Sequence, residues 1–410
     1  MRDHSRAPAR LAAALAAASM FGAHADVPTR QPPAAPAVAP ARTPPDDCSA
    51  LLRPIVERHA VPGLAAALVT ADDGLIRIGA AGVRRKGDAT AVAPDDRFHL
   101  GSCTKAITAT LCAVLVEQGA LRWDSTLGEV FPDDAPAMHE PWKAVTLRQL
   151  LNNRSGTPAN LDRDGLWASL WSHRGEDSDA RRLLLRGVTA HDPEHPPGSK
   201  FLYSNAGFAI AGHMAETVTG VPYERLLRDS LLGPLGMTSA GFGAPGDPGV
   251  LDQPRGHDAA GRPVEPTADG RGADNPPAIT PAGRVHASLA DWAAFVRLHL
   301  QGAQGRPVRV GDVSLSPESF RVLHEIAGPD GEYAMGWARP ERPWAGPEGH
   351  RRVLTHSGSN TLWYCVVWAA PERGFAALAA CNTAAGGPAA CDEAVAALIR
   401  AYTERGAGKD

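Results

Sequence analysis

The period of apolar positions changes several times along the chain. SALLRPIVERHA (49–60) spaces its apolar residues for a helix. GLAAALVTADDGLIRIGAAGV (63–83) is apolar in two blocks split by Asp72, Asp73 and Gly74, which predicts two strands joined by a turn. RFHLGS then leads into GSCTKAITATLCAVLVEQG (101–119). Apart from Lys105, this run stays small or apolar almost to its end, so it predicts a helix heading into a core. From about 106 to 284 the pattern is mainly helical, as in TLRQLLNN, 205–219 and PYERLLRDSLL. Residues 241–281, dense in Gly, Pro and Asp, predict a long surface loop. SLADWAAFVRLHLQ resumes a helix. RRVLTHSG, TLWYCVVWAAP and GFAALAACNT read as strands, and DEAVAALIRAYTER closes as an amphipathic helix. This order predicts an α/β (α+β) domain: one sheet built from both chain ends, flanked by helices and carrying an all-α insert at about 106–284. No internal repeat is visible.

Composition narrows the class. The chain has 410 residues, enough for one large domain or two intimately packed ones. Hydrophobic residues at 44% and charged residues at 21% describe an ordinary globular protein, and a net charge of −4 with interspersed signs points to neither nucleic acid nor a membrane surface. Residues 1–25 read as a signal peptide: Arg2, Arg6 and Arg10 precede the apolar run LAAALAAASMFGA, and Ala23-His24-Ala25 fits a cleavage site. That run is shorter than the roughly 20 residues a membrane span needs. Residues 26–46 form a Pro/Ala-rich linker, expected to be extended, before a domain at 47–405. The expectation is therefore a secreted or periplasmic bacterial protein, without an integral membrane segment once the signal is removed, and a monomer. Export permits disulfides. The six cysteines show no framework, and Cys48 with Cys391, in the first and last predicted helices, is the pair to test.

The chemistry starts from one lysine among only five. Ser102 and Lys105 sit at i and i+3 near a helix N-terminus, so they share a face in a positive field. A serine hydroxyl is a poor nucleophile until a base takes its proton, and a desolvated lysine can be that base. Ser-x-x-Lys alone also fits a capping serine with an incidental lysine. A second element is YSN, where Tyr203 can relay protons and Asn205 can hydrogen-bond the lysine; a core tyrosine at a helix entry is the plainer reading. A third is THSGSN, at a strand end. There Gly358 permits close backbone approach, and an exposed edge can bind an extended substrate and aim an N–H at an oxyanion. An ordinary hairpin turn would also read this way.

Together and in this order, the three motifs resemble the serine β-lactamase and penicillin-binding-protein superfamily, on the branch of class C β-lactamases, D-aminopeptidases and family VIII esterases. VTLRQLLNNRSGTP, PLGMTSAGFG, TPAGRVHASLADWAAF and EYAMGW are similar to that branch as well, so the likeness runs from about Cys48 to Thr403. The resemblance implies a largely antiparallel sheet flanked by helices, with the active site between it and the helical region. It implies Ser102 as the acylated nucleophile, with Lys105 and Tyr203 sharing acid–base work, in an order the sequence leaves open. Asn205 would orient Lys105 and contact the substrate, and the N–H groups of Ser102 and Ser359 would form the oxyanion hole. His356 stands where the family's third motif has a lysine that binds a substrate carboxylate. A histidine in its ordinary range carries little charge at neutral pH, so carboxylate recognition should weaken. The expected activity is hydrolysis of an ester or amide, small-molecule or peptide-derived, with weak or no β-lactamase activity, and no cofactor or metal. The alternatives are a true class C-like β-lactamase, a β-lactam or peptidoglycan sensor that does not turn over, and a cell-wall scaffold.

Three further signals are set aside. GFGAPG matches G-x-G-x-x-G but contains a proline and lies in a loop. HDPEH spaces His191 and His195 as zinc ligands, yet Pro193, Pro196 and Pro197 oppose the helix that would align them. Cys103 adjoins Ser102 but points about 100° around the helix, toward packing.

Overall fold

The computed structural model describes residues 44–329 and 331–407. The expected signal peptide and all but the end of the expected linker lie outside the described residues. Eight strands make the main sheet: β1 (Asp46–Asp47), β2 (Gly63–Thr70), β3 (Gly74–Gly82), β4 (Tyr333–Ala334), β5 (Trp337–Ala338), β6 (Leu354–Ser359), β7 (Tyr364–Ala370) and β8 (Phe375–Cys381). Their order is β1-β3-β2-β8-β7-β6-β5-β4. All neighbours are antiparallel except β1, which runs parallel to β3 through Asp46 and Asp47. Folded backbone therefore begins one residue inside the expected linker.

Strand alternation divides the sheet between two cores. Leu64, Ala66 and Leu68 of β2 face helices α1 (Ser49–His59) and α5 (Gly387–Ala407), together with Leu52, Ile55, Phe375 and Leu398. Ala65, Ala67 and Val69 face the other way, toward the core that holds Ile107, Leu111 and Phe295. Burial on both faces explains why β2 and β8 read as unbroken apolar runs rather than alternating ones. Helices α2 (Thr104–Glu117) and α4 (Leu289–Ala303) occupy that second side with α3 (Asn205–Thr219). From Thr104 to Leu115, every residue of α2 is buried, Lys105 included.

Three expectations need correction. The region 106–284 is not purely helical: Gly241–Phe242, Gly256–His257 and Pro263–Val264 are short strands, as suits a stretch too rich in Gly and Pro for helix. Nor is 241–281 a plain surface loop, since Arg255, His257, Asp274, Ala278 and Ile279 are buried in it. Cys48 and Cys391 are not paired, and all six cysteines are free. The Cys48 thiol meets the Ala66 carbonyl and the Cys391 thiol meets that of Tyr364, on different strands. No helix among the described residues is long and apolar enough to cross a membrane.

Candidate active site

Gly101–Cys103 is one tight helical turn that runs directly into α2. It sets Ser102 at the positive end of a buried helix. Lys105 Nζ lies 3.2 Å from Ser102 Oγ, 2.7 Å from Asn205 Oδ1 and 2.8 Å from the Ala282 carbonyl oxygen. Two of these partners can only accept. A neutral amine that gives its two N–H groups to them keeps its lone pair for the Ser102 O–H. Burial pushes the Lys105 ammonium down to about 7 from its ordinary 10.5. Neutral lysine is thus well populated just above neutrality. The turn that supplies Ala282 is fixed independently: Thr108 Oγ1 donates to the neighbouring Pro281 carbonyl at 2.6 Å.

Tyr203 and Asn205 come from the entry to α3. Ser204 caps that helix by accepting from the Ala206 N–H, and its hydroxyl donates to the Pro158 carbonyl. Asn153 holds the same segment: its backbone oxygen accepts from the Leu202 N–H, and its side-chain oxygen from the Ser204 N–H. These bonds place the Tyr203 ring against Lys105, with Nζ 4.8 Å from the ring centroid. Burial pushes the Tyr203 phenol up to about 12, although a hydrogen bond with Ser102 pulls the other way. At neutral pH, Tyr203 is therefore a proton donor and Lys105 the available base.

Strand β6 forms the facing wall. Gly358 packs so tightly on the nucleophile turn that a Cβ there would sit 2.0 Å from the Leu100 carbonyl oxygen and 2.9 Å from the Ser102 nitrogen. Gly101, at φ +47°, is equally constrained, since its Cβ would fall 2.3 Å from the Ser359 nitrogen. These two glycines let the Ser102 turn and the Ser359 end of β6 pack backbone against backbone. His356 lines the same wall. Its Nδ1 lies 2.6 Å from the Ser357 carbonyl, which can only accept, so Nδ1 carries a proton, and its Nε2 lies 3.4 Å from the Tyr333 hydroxyl. Rings of Phe201, Tyr203, Tyr333 and His356 pack in tilted and edge-to-face contacts along this side.

Sequence reasoning missed a buried network behind both walls. His99 Nε2 donates to Asp274 Oδ2 at 2.9 Å, and its Nδ1 accepts from the Gly101 N–H at 3.1 Å. Asn360 Nδ2 donates to Asp274 Oδ1 at 3.2 Å, and Arg284 Nε donates to Asp274 Oδ2 at the same distance. Burial pushes the Asp274 carboxyl up, but His99 and Arg284 outweigh it and hold it below the ordinary range. One carboxylate thereby ties the residue before Ser102 to the residue after Ser359. Nothing in the local pattern of RGADNPP announces this. Tyr333 could have been found, because it lies in the EYAMGW stretch already similar to the family.

The seven residues singled out from the sequence, Ser102, Lys105, Tyr203, Asn205, His356, Gly358 and Ser359, thus line one site. Of the signals set aside, the histidine pair and the glycine-rich stretch lie elsewhere. His191 pairs with Asp164 at 2.7 Å, whereas His195 is within 3.3 Å of Ser199. No cluster of potential metal ligands occurs among the described residues. Gly241 and Phe242 belong to a strand rather than a dinucleotide loop. Cys103 is buried against the sheet.

A family model described as Beta-lactamase matches residues 49–402. Penicillin-binding protein 4 of Amycolatopsis lactamdurans is 31% identical over 277 residues, 65% of this chain and 63% of that protein. An unguisins hydrolase of Aspergillus campestris is 26% identical over 360 residues, 82% of this chain and 61% of its own length. The chain therefore spans less than two-thirds of these relatives. Among solved structures, D-alanine carboxypeptidase AmpC from Burkholderia cenocepacia superposes with a TM-score of 0.62 at 19% identity, covering 84% of this chain and 96% of that one. SurE superposes with a TM-score of 0.67 at 24% identity, covering 86% and 74%. At such identities the structural likeness shows the fold.

Proposed function

Because the chain belongs to the β-lactamase family, we propose that it is an exported serine hydrolase that acts through an acyl-enzyme on an ester or amide, with weak or no β-lactamase activity. The observation that carries this reading is the buried Lys105 amine, 3.2 Å from Ser102 and depressed to about 7. Neutral Lys105 takes the hydroxyl proton as Ser102 Oγ bonds to the substrate carbonyl carbon. The developing oxyanion is held by the N–H groups of Ser102 and Ser359. The proton passes through the Tyr203 phenol to the leaving group, whose bond to carbon then breaks. Water, activated by the Lys105–Tyr203 pair, releases the acyl group and restores Ser102. No step calls for a metal or cofactor.

Substrate class follows from the wall around His356. His356 puts an imidazole there, bonded through Nδ1 to the Ser357 carbonyl and through Nε2 to the Tyr333 hydroxyl, in place of a lysine ammonium aimed at a substrate carboxylate. The aromatic rings beside it suit an apolar acyl or alcohol group. A relative named as an unguisins hydrolase and a neighbour crystallised with D-Leu keep peptides and D-amino-acid amides within the class. The test is turnover of p-nitrophenyl butyrate, D-alanyl-p-nitroanilide and nitrocefin by the purified chain. The ester or the amide is expected to exceed nitrocefin in kcat/KM by at least about 100-fold, a difference of ~3 kcal/mol in barrier. Efficient nitrocefin turnover would contradict the proposal in favour of a true β-lactamase. Stable acylation without turnover of any substrate would favour a sensor.

A further inference from the structure

Ser102 is followed by a thiol that the proposed reaction does not use. Cys103 points down from the nucleophile turn onto the sheet, where its Sγ lies 3.6 Å from that of Cys365 and 3.5 Å from the His356 carbonyl oxygen. Cys365, on β7, is register partner to Gly358, the residue pressed against Ser102. Its Sγ also lies 3.2 Å from the Leu100 carbonyl oxygen. The two sulfurs therefore meet directly beneath the oxyanion hole, and neither belongs to a disulfide.

The two thiols differ in character. Burial pushes the Cys103 thiol up. The hydrogen bond from Cys365, the His356 ring and the Lys105 ammonium outweigh burial and bring it down to about 6. Burial, with the adjacent Cys103, drives the Cys365 thiol well above its ordinary range. Two thiols in contact, the one beside Ser102 the more readily ionised, are the arrangement in which one sulfur is oxidised and the other resolves it. Both sulfurs are buried, whereas Ser102 beside Cys103 and His356 above it are partly exposed, and a small oxidant would have to enter past them.

We propose that Cys103 and Cys365 form a peroxide-sensitive disulfide site that turns hydrolysis off reversibly. The Cys103 thiolate attacks a peroxide: an S–O bond forms, the O–O bond breaks and hydroxide leaves. Cys365 sulfur then attacks the sulfenic sulfur, forming the S–S bond and releasing water. Two thiols are oxidised by two electrons, and one peroxide is reduced to two waters. A disulfide needs the sulfurs at about 2.05 Å, so closing the present contact moves them together by roughly 1.5 Å. Cys103 shares its turn with Ser102, and the Gly101 and Gly358 contacts leave that turn no slack. A displacement of about 1 Å at a reacting atom costs on the order of 100-fold in rate.

The loss of activity rests on Ser102 being the nucleophile, whereas formation of the bond does not. Full chain would be treated with hydrogen peroxide, its remaining thiols alkylated, and peptides mapped by mass, for wild type and for Ser102→Ala. Expected is a 103–365 cystine in both proteins. In the wild type it should accompany about a 100-fold loss of p-nitrophenyl butyrate hydrolysis that dithiothreitol restores. Cys365→Ala and Cys365→Ser should keep their untreated activity and lose the reversible response. Absence of that cystine, or sulfinic acid at Cys103 in its place, would overturn the proposal. A cystine formed without loss of activity would overturn the switch. If untreated wild type hydrolyses no ester or amide, the reading of Ser102 fails, while the mass result still decides the disulfide.

Discussion

Lys105 Nζ stands 3.2 Å from Ser102 Oγ with its other two bonds on Asn205 and the Ala282 carbonyl. Charged, the nitrogen spends all three hydrogens and blocks the serine. Neutral, it presents a lone pair. The protonation state of one buried nitrogen thus decides whether Ser102 can react, and most of what can be tested follows from that.

The first consequence is a pH profile. Burial lowers Lys105 to about 7, so the competent neutral form grows in as pH rises through 7. The kcat/KM for p-nitrophenyl butyrate should climb about tenfold per unit below that point and level off above it. Lys105→Arg, which stays charged, should lose the plateau and about 1,000-fold or more in rate. A flat profile between pH 5 and 8 would count against Lys105 as the base.

The same burial has a cost in stability. Between pH 7 and 10.5 the unfolded chain keeps its Lys105 proton and the folded chain does not, so stability from this group rises with pH across that window. The full span is on the order of 5 kcal/mol. Lys105→Met removes the penalty. Urea unfolding should find it inactive, more stable than wild type at pH 6, and without the wild-type gain between pH 7 and 10.

His356 offers a test of substrate choice. Replacing it by lysine puts a fixed positive charge on the β6 wall beside Gly358. His356→Lys should raise kcat/KM for nitrocefin or benzylpenicillin by about tenfold or more, and should raise it less for p-nitrophenyl butyrate. Equal effects on the carboxylate-bearing and carboxylate-free substrates would mean that this residue does not face the substrate carboxylate.

Asp274 acts at one remove. Through His99 it holds Gly101, and through Asn360 it holds the end of β6. Asp274→Asn should cost about 3 kcal/mol or more in stability, because Arg284 loses a buried partner. Measured well below its melting temperature, the variant should show kcat reduced by about 10- to 100-fold with KM little changed, as expected when the oxyanion hole loosens. A variant that melts earlier but keeps wild-type kcat would confine Asp274 to a structural role.

Much of the sheet was legible because its signals are local. The strand pair around Asp72, Asp73 and Gly74 and the three apolar runs near the C-terminus emerged as β2, β3, β6, β7 and β8. The site was legible for another reason: Ser102 with Lys105, Tyr203 with Asn205, and His356 with Gly358 each keep a short fixed spacing. What the pattern could not convey was partnership between distant residues. Asp274 reads as one acid among many in a Gly/Pro-rich stretch, and only the fold sets it against His99 and Arg284. The cysteines teach the same lesson. Cys48 and Cys391 are the pair to test from their helices, whereas the sulfurs in contact are Cys103 and Cys365, brought together by the pairing of β6 with β7.

The central claim is that Ser102 becomes acylated with Lys105 as its base. The most direct measurement is the intact mass of the purified chain after rapid acid quenching during p-nitrophenyl butyrate hydrolysis, wild type beside Ser102→Ala. Wild type should carry a butyryl adduct that maps to the peptide containing Ser102, and should turn over. Ser102→Ala should show neither the adduct nor activity. An adduct on another residue, or hydrolysis that survives in Ser102→Ala, would contradict the account.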